Sequence, residues 1–362
     1  MRVAFYAPLK SPNHPVPSGD RLMARLLIRA LELAGHSVEI VSAFRSFAAT
    51  PEEVTRRLSA AQVELQRLRN DWSSKQRPDL WFCYHPYYKS PDPFGPTLCR
   101  EFALPYVTAE ASYSAKRDAT EWALPQRLVV DGARDAAVNI VLTERDRAGL
   151  IEALPAGSFA ALKPFIDTAL FDTVLPQAEP QRLIAVAMMR GGDKMQSYTM
   201  LAEALGLLRD RPWTLAIAGD GPMRADVERL LGVFERDRIE WLGELSVGQI
   251  ADELSHSGIY VWPGCGEAYG LAYLEAQAAG LPVIAQRTAG VPEVVTDGIT
   301  GNLTPRGDVP AFAAAIAALL DDPVRRSTMG TSARHFVLKE RSLKVAATAL
   351  DTILRTYVRR EV

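Results

Sequence analysis

Two acids, Glu267 and Glu275, bracket the part of this chain best suited to chemistry. They lie in Pro263-Gly264-Cys265-Gly266-Glu267-Ala268-Tyr269-Gly270-Leu271-Ala272-Tyr273-Leu274-Glu275-Ala276, where a glycine-rich loop runs into a helix. Eight residues at about 1.5 Å each would set the carboxylates about 12 Å apart along one side of that helix. A nucleotide sugar spans a similar length from hexose to ribose. A diphosphate between the acids would meet the helix N-terminus, whose unpaired N–H groups and dipole favour anions. One acid would then grip sugar hydroxyls and the other ribose hydroxyls. For two acids at this spacing alone, the commoner arrangement is a dipole-complementing Glu and a second Glu facing water. The glycines and the residues upstream decide against it.

Upstream, the apolar run 182–187 leads into Met188-Met189-Arg190-Gly191-Gly192-Asp193-Lys194. Two cations four residues apart on a glycine-bearing loop suit a diphosphate. Arg190 can bridge two oxygens as a planar fork and Lys194 acts as a point charge. By itself such a segment is more often a solvated loop. Gly219-Asp220-Gly221-Pro222 reads as turn chemistry, and Trp241-Leu242-Gly243-Glu244-Leu245 could line a flat pocket for a base.

Nearer the N-terminus, Tyr84-His85-Pro86-Tyr87-Tyr88 and Ala109-Glu110-Ala111-Ser112 each follow a strand-like run. His85 could orient an acceptor or a sugar hydroxyl, although a lone histidine at a strand end is more often structural. Glu110 could act on an acceptor hydroxyl as a base or only hydrogen-bond it. Gly19, just before a helical stretch, could let backbone approach a phosphate or simply turn the chain. The loop from Lys10 to Gly19 lacks Gly-x-Gly-x-x-Gly, which counts against a nicotinamide dehydrogenase. Neither Gly-x-Ser-x-Gly nor a Walker A loop occurs. Asp-x-Asp is also absent, so no metal ligand set and no cofactor are expected.

These residues need elements to position them. At 362 residues the chain is too long for one ordinary core, and 48% hydrophobic with 23% charged residues marks it as globular. A net charge of −2 supplies no basic field for nucleic acid. Cys83, Cys99 and Cys265 are too few and too scattered for a disulfide framework or a zinc site, which fits a reducing compartment. The N-terminus reads as a strand, no apolar run is long enough to span a bilayer, and a cytoplasmic protein is expected.

Strands are expected at 3–7, 38–43, 79–84, 106–109 and 140–143. After a proline-bearing stretch at 161–180 they resume at 182–187, 214–218, 239–242, 259–261 and 283–285. Helical stretches alternate with them, including 20–34 and 51–70. This alternation predicts an α/β fold of two Rossmann-like domains with parallel sheets facing a central cleft. Residues 1–165 form the first, acceptor domain and 180–342 the second, nucleotide-sugar domain. The amphipathic stretch from 343 to the C-terminus is expected to pack back on the first.

Residues 183–308 resemble the retaining GT-B glycosyltransferases of family 4, also called group 1 glycosyl transferases. The likeness rests on Arg190…Lys194, Ala218-Gly219-Asp220-Gly221-Pro222, Trp241-Leu242-Gly243 and the Glu267-x7-Glu275 element. It continues through Ala279-Gly280-Leu281-Pro282, Ala289-Gly290-Val291-Pro292-Glu293 and Asp297-Gly298…Gly301. It implies a metal-independent transfer of sugar from a nucleotide-diphosphate donor to the hydroxyl of a carbohydrate, glycolipid or small molecule, with retention. By motif, Arg190 and Lys194 bind diphosphate, Glu267 the donor sugar and Glu275 the ribose. Backbone at Tyr269, Gly270 and Leu271 approaches phosphates and sugar, and Leu245 lies near the base. Two departures are Ser18-Gly19 in place of a glycine pair, and Glu110 where many members have histidine. A nucleotide-sugar epimerase and a non-catalytic sugar-nucleotide-binding subunit are the alternatives, and peripheral contact with the inner face of a membrane is compatible with the chain.

Overall fold

The computed structural model describes residues 1–74 and 76–358. These divide into two compact units, Met1–Lys163 with Leu343–Val362, and Pro164–Ser342. The first unit alternates β1 (Arg2–Tyr6), α1 (Gly19–Leu33), β2 (Ser37–Ile40), α2 (Pro51–Ser74), β3 (Leu80–Tyr84), α3 (Gly95–Phe102), β4 (Tyr106–Ala109), α4 (Ala123–Asp135), β5 (Val138–Val141), α5 (Glu144–Ala153) and β6 (Phe159–Ala161). The second runs α6 (Ala169–Thr173), β7 (Arg182–Val186), α7 (Asp193–Gly206), β8 (Thr214–Ala218), α8 (Arg224–Leu231), β9 (Ile239–Gly243), α9 (Val247–His256), β10 (Ile259–Val261), α10 (Leu271–Ala278), β11 (Val283–Gln286), β12 (Gly301–Thr304), α11 (Val309–Asp321) and α12 (Pro323–Glu340). Helix α13 (Leu343–Tyr357) returns to the first unit and packs on α1. The end of the expected C-terminal helix, residues 359–362, lies outside the described residues.

Both sheets are six-stranded and parallel, in the orders β2-β1-β3-β4-β5-β6 and β12-β11-β10-β7-β8-β9. Helices cover both faces of such a sheet, so its central strands are apolar on both sides. Every residue of β3, Leu-Trp-Phe-Cys-Tyr, is accordingly buried. Strands β6 and β12 escaped the sequence reading. Phe-Ala-Ala is only three residues long, and Gly-Asn-Leu-Thr carries two residues that disfavour strands. Strand pairing along β5 and β11 overrides those local preferences. Among the described residues, no helix is long and apolar enough to cross a membrane.

The winding direction reverses once in each sheet, between β1 and β3 and between β7 and β10. At such a reversal the loops leaving the two central strands diverge and open a crevice at the carboxyl ends. Those two places position the candidate residues.

Helix α12 supports the second reversal from behind by packing on α10. Gly330 sits where a Cβ would overlap the Gly280 carbonyl oxygen and meet Pro282 Cδ at 3.5 Å. Alanine in a helix normally gains up to about 1 kcal/mol over glycine. Overpacking against backbone costs about 1–3 kcal/mol, so the overlap wins. Gly330→Ala should therefore lower the denaturant midpoint at unchanged m, by about 2 kcal/mol in stability. A raised midpoint would mean that α12 moves aside freely.

Candidate active site

In the second unit, β7 leads through Ala187–Gly192 into α7, and β10 leads through Trp262–Gly270 into α10. The two loops are joined by side chains. Ser197 Oγ accepts from the Cys265 N–H at 2.9 Å and donates to the Asp193 carbonyl at 2.9 Å. Lys194, the second residue of α7, forms an ion pair with Glu267 Oε1. Trp262 Nε1 donates to the same oxygen at 3.2 Å, and the Lys194 ammonium stands 5.4 Å from the Trp262 ring centroid. Trp262 is buried, edge-on to Tyr198 with centroids 4.9 Å apart. The ion pair is only partly exposed, with side-chain accessibilities of 27% for Lys194 and 19% for Glu267. Low local dielectric strengthens such a pair while leaving it within reach of a ligand.

The glycines make this approach possible. Gly266 has φ +69°, and a Cβ there would overlap the Asp193 carboxylate. Gly270, at φ +74°, precedes α10 and lies against the Tyr273 ring, whose hydroxyl donates to the Trp262 carbonyl at 3.0 Å. Gln286 holds the loop from β11, donating to the Pro263 carbonyl at 3.2 Å and accepting from the Gly307 N–H at 2.5 Å.

These left-handed turns correct one expectation. Helix α10 begins at Leu271, four residues after Glu267, so Glu267 and Glu275 do not lie along one side of one helix. Glu267 projects from the loop and Glu275 lies in the second turn of the helix. Glu275 is partly buried, and desolvation pushes its carboxyl up to about 7. Its carboxyl has no hydrogen-bond partner among the described residues. Tyr269 and Leu271 are buried beside Gly270. Arg190 is exposed on the β7–α7 loop with no side-chain partner among the described residues, and Leu245 is half-exposed before α9.

The first unit carries a second constellation at its own reversal. Ser18 caps α1 by accepting from the Arg21 N–H at 3.2 Å. Gly19 opens that helix, and space around its missing Cβ is open. Asp20 Oδ1 lies 3.0 Å from Nδ1 of His85, which follows β3. His85 and Glu110 sit at the tops of the paired strands β3 and β4 with φ of +59° and +58°. Each costs about 1–2 kcal/mol in that conformation. The backbone holds them there: the His85 N–H donates to the Ala109 carbonyl at 2.8 Å, and the Glu110 N–H to the Ile140 carbonyl at 2.9 Å. Burial alone would lower the imidazole pKa. The charge of buried Glu110, then the bond and charge of Asp20, then Asp146, outweigh it and raise His85 to about 9. His85 is therefore a cation at neutral pH.

The expected donor residues thus fall in one unit and the expected acceptor residues, with Gly19, in the other. Lys194 and Glu267 touch, and His85 feels Glu110. No hydrogen bond or ion pair joins Arg190, Leu245 or Glu275 to another candidate side chain among the described residues. The sequence reading missed Trp262, Ser197, Asp20 and Asp146. Trp262 directly follows β10, just before Pro263-Gly264, a usable signal. Asp20 is in the first turn of the first helix, where an acid is ordinary. Among the described residues, no group of His, Cys, Asp and Glu side chains is arranged to hold a metal ion.

Residues 180–322 match the family described as glycosyl transferases group 1. Among curated relatives, the GDP-mannose-dependent alpha-(1-6)-phosphatidylinositol monomannoside mannosyltransferase of Mycolicibacterium smegmatis is 38% identical over 151 residues. That stretch covers 38% of this chain and 39% of the relative. The alpha-D-kanosaminyltransferase of Streptomyces kanamyceticus is 34% identical over 164 residues, 45% of this chain and 42% of the relative. The chain thus spans about two-fifths of the length of these relatives. Sucrose-phosphate synthase from Thermosynechococcus elongatus superposes with a TM-score of 0.75 at 20% identity, covering 98% of both chains. A glycosyltransferase from Rickettsia africae does so with 0.74 at 15% identity, covering 99% of both. Within the second unit, residues 180–322 match the group 1 glycosyl transferases, in a chain that has the two Rossmann-like sheets of the GT-B fold.

Proposed function

We propose that this chain is a glycosyltransferase that moves a sugar from a nucleotide-diphosphate donor to an acceptor hydroxyl, with retention and without a resident metal ion. The observation that carries the reading is the pair of Lys194, at the start of α7, with Glu267, on the loop after β10, at the reversal of the second sheet. A donor diphosphate replaces Glu267 as the partner of Lys194. Glu267 then accepts from donor-sugar hydroxyls while the Trp262 N–H keeps it oriented. As the anomeric C–O bond breaks, its electron pair passes to the leaving diphosphate. Arg190, Lys194 and the N-terminus of α10 stabilise that charge. The acceptor oxygen bonds to the anomeric carbon on the face the diphosphate leaves, and its proton passes to a diphosphate oxygen. In the first unit, His85 donates a hydrogen bond to the acceptor and Glu110 accepts one. Leu245 lines the base, and backbone near Tyr269–Leu271 meets phosphate and sugar.

Named relatives transfer mannosyl and kanosaminyl groups, and Anabaena HepE, similar in fold with a TM-score of 0.70, was solved with UDP and glucose. A relative named for phosphatidylinositol monomannoside supports a glycolipid acceptor.

Removing one charge-stabilising donor costs on the order of 3 kcal/mol in barrier, so Lys194→Ala should lower kcat about a hundredfold with an unchanged circular dichroism spectrum. Near-normal turnover would remove the cation from the mechanism.

Glu275 gives a pH signature. The native carboxyl keeps its proton up to about 7 where an ordinary glutamate releases it near 4.5. The folded state therefore binds more protons in that window, and unliganded stability falls as pH rises through it, by at most about 3 kcal/mol. Ribose hydroxyls bond best to the ionised form, so UDP or GDP should bind more tightly at about pH 8 than at about pH 6. Glu275→Gln should flatten both trends, as titration calorimetry and thermal melts would show. An unaltered pH dependence in that variant would clear Glu275 of a ribose role.

For His85, Asp20→Asn removes one of the interactions that hold the imidazole protonated. Its NMR titration midpoint should fall from about 9 towards 6.5. An unshifted midpoint would show that Asp20 does not set the charge.

A further inference from the structure

From His85 an unbroken run of rings leads outward across the first unit. The His85 and Tyr87 centroids are 5.2 Å apart, Tyr87 and Tyr88 5.3 Å, and Tyr88 and Trp122 4.9 Å. The last two contacts are edge-to-face, at 89° and 87°. Two cations flank the end of the run. The Arg117 guanidinium lies 3.9 Å from the Tyr88 centroid, and the Lys89 ammonium lies 5.8 Å from Tyr88 and 5.4 Å from Trp122. Neither cation has a carboxylate partner among the described residues. Asp118, next to Arg117, is taken instead by the Tyr113 hydroxyl and the Gln126 amide, each at 2.5 Å.

The arrangement is held rigidly. Tyr87 and Ser90 exchange backbone hydrogen bonds of 3.3 and 2.7 Å, and the Lys89 carbonyl accepts from the Ala48 N–H at 2.8 Å. Ser90 is buried with its hydroxyl 3.2 Å from Ser46 Oγ. Tyr87, Tyr88, Lys89, Arg117 and Trp122 are all half-exposed. The rings and cations are thus partly open to solvent. Half-exposed rings present flat apolar faces with polar tips, the surface on which a pyranose stacks its C–H face. Cations resting on rings keep a face for an anion, and their partial desolvation strengthens that contact.

We propose that Tyr88, Trp122, Lys89 and Arg117 form an acceptor subsite for an anionic sugar, with the ring stacked on Trp122 and a phosphate on the two cations. This rests on the glycosyl-transfer reading and names its acceptor class. His85 lies at the inner end of the run.

The test is titration of the full chain with glucose 1-phosphate, with glucose and inorganic phosphate as controls, followed by saturation-transfer NMR. Glucose 1-phosphate should bind more tightly than either control, with transfer to its ring protons. Trp122→Ala should weaken it at least about tenfold, and Trp122→Phe should restore most of the loss. Arg117→Gln with Lys89→Gln should remove the preference for glucose 1-phosphate over glucose. Thermal melts establish that each variant is folded. No binding of glucose 1-phosphate at millimolar concentration, or equal binding by the Trp122→Ala and double-glutamine variants, would overturn the proposal. The same sugar phosphate carried on a farnesyl chain distinguishes the source. Tighter binding of that form assigns a lipid-linked acceptor and equal binding a free one, and both support the subsite. UDP or GDP binding to the second unit is measured in parallel. Nucleotide binding without sugar-phosphate binding sinks only the subsite, whereas failure of both nucleotides sinks the transfer reading itself.

Discussion

The ion pair of Lys194 with Glu267 is the constraint on which the second unit's site depends. Two groups of opposite charge, one in the first turn of α7 and one on the loop after β10, hold each other, partly desolvated, over a buried indole. Neither loop could supply this alone. Lys194 needs the helix that opens after β7, and Glu267 needs a chain path tight enough to bring it back over that helix. Gly266 makes the path possible because any larger residue would collide with Asp193. Ser197 then ties the loops through the Cys265 N–H. The cation and the acid are thereby held in place by the fold itself.

The first unit solves a related problem with other groups. Its sheet reverses between β1 and β3, and there too an acid from the first turn of a helix meets a cation from the neighbouring loop, Asp20 with His85. The polarity is exchanged: in one unit the helix supplies the lysine, in the other the aspartate. His85 is a cation because Glu110 and Asp20 outweigh its burial. Two strained residues at adjacent strand ends mark the place as one where backbone energy is spent on orientation. An imidazolium there donates hydrogen bonds and cannot act as a base.

Much of this was legible in the chain. Parallel α/β architecture followed from short β-branched and aromatic runs alternating with helical periodicity, and ten of the twelve strands could be placed that way. The two that could not, β6 and β12, have weak local preference and exist because a neighbouring strand pairs with them. The charged residues at strand ends were visible as candidates for the same reason, since loops at carboxyl ends carry the polar residues of such sheets. The helix around Glu267 was misplaced because glycine spacing does not reveal φ. Only backbone geometry shows the left-handed turns that delay α10 to Leu271.

The amino-acid sequence by itself determined the element types, the loops rich in glycine and charge, and the Glu267-x7-Glu275 spacing, because these follow from local propensity and residue chemistry. Tertiary structure alone decided which groups meet. The Lys194–Glu267 and Asp20–His85 pairs join residues 73 and 65 positions apart. Burial decided the protonation of Glu275 and, with Glu110 and Asp20, that of His85. Distance in sequence carries no record of these contacts, and a pKa depends on desolvation and neighbours that exist only after the sheets have formed.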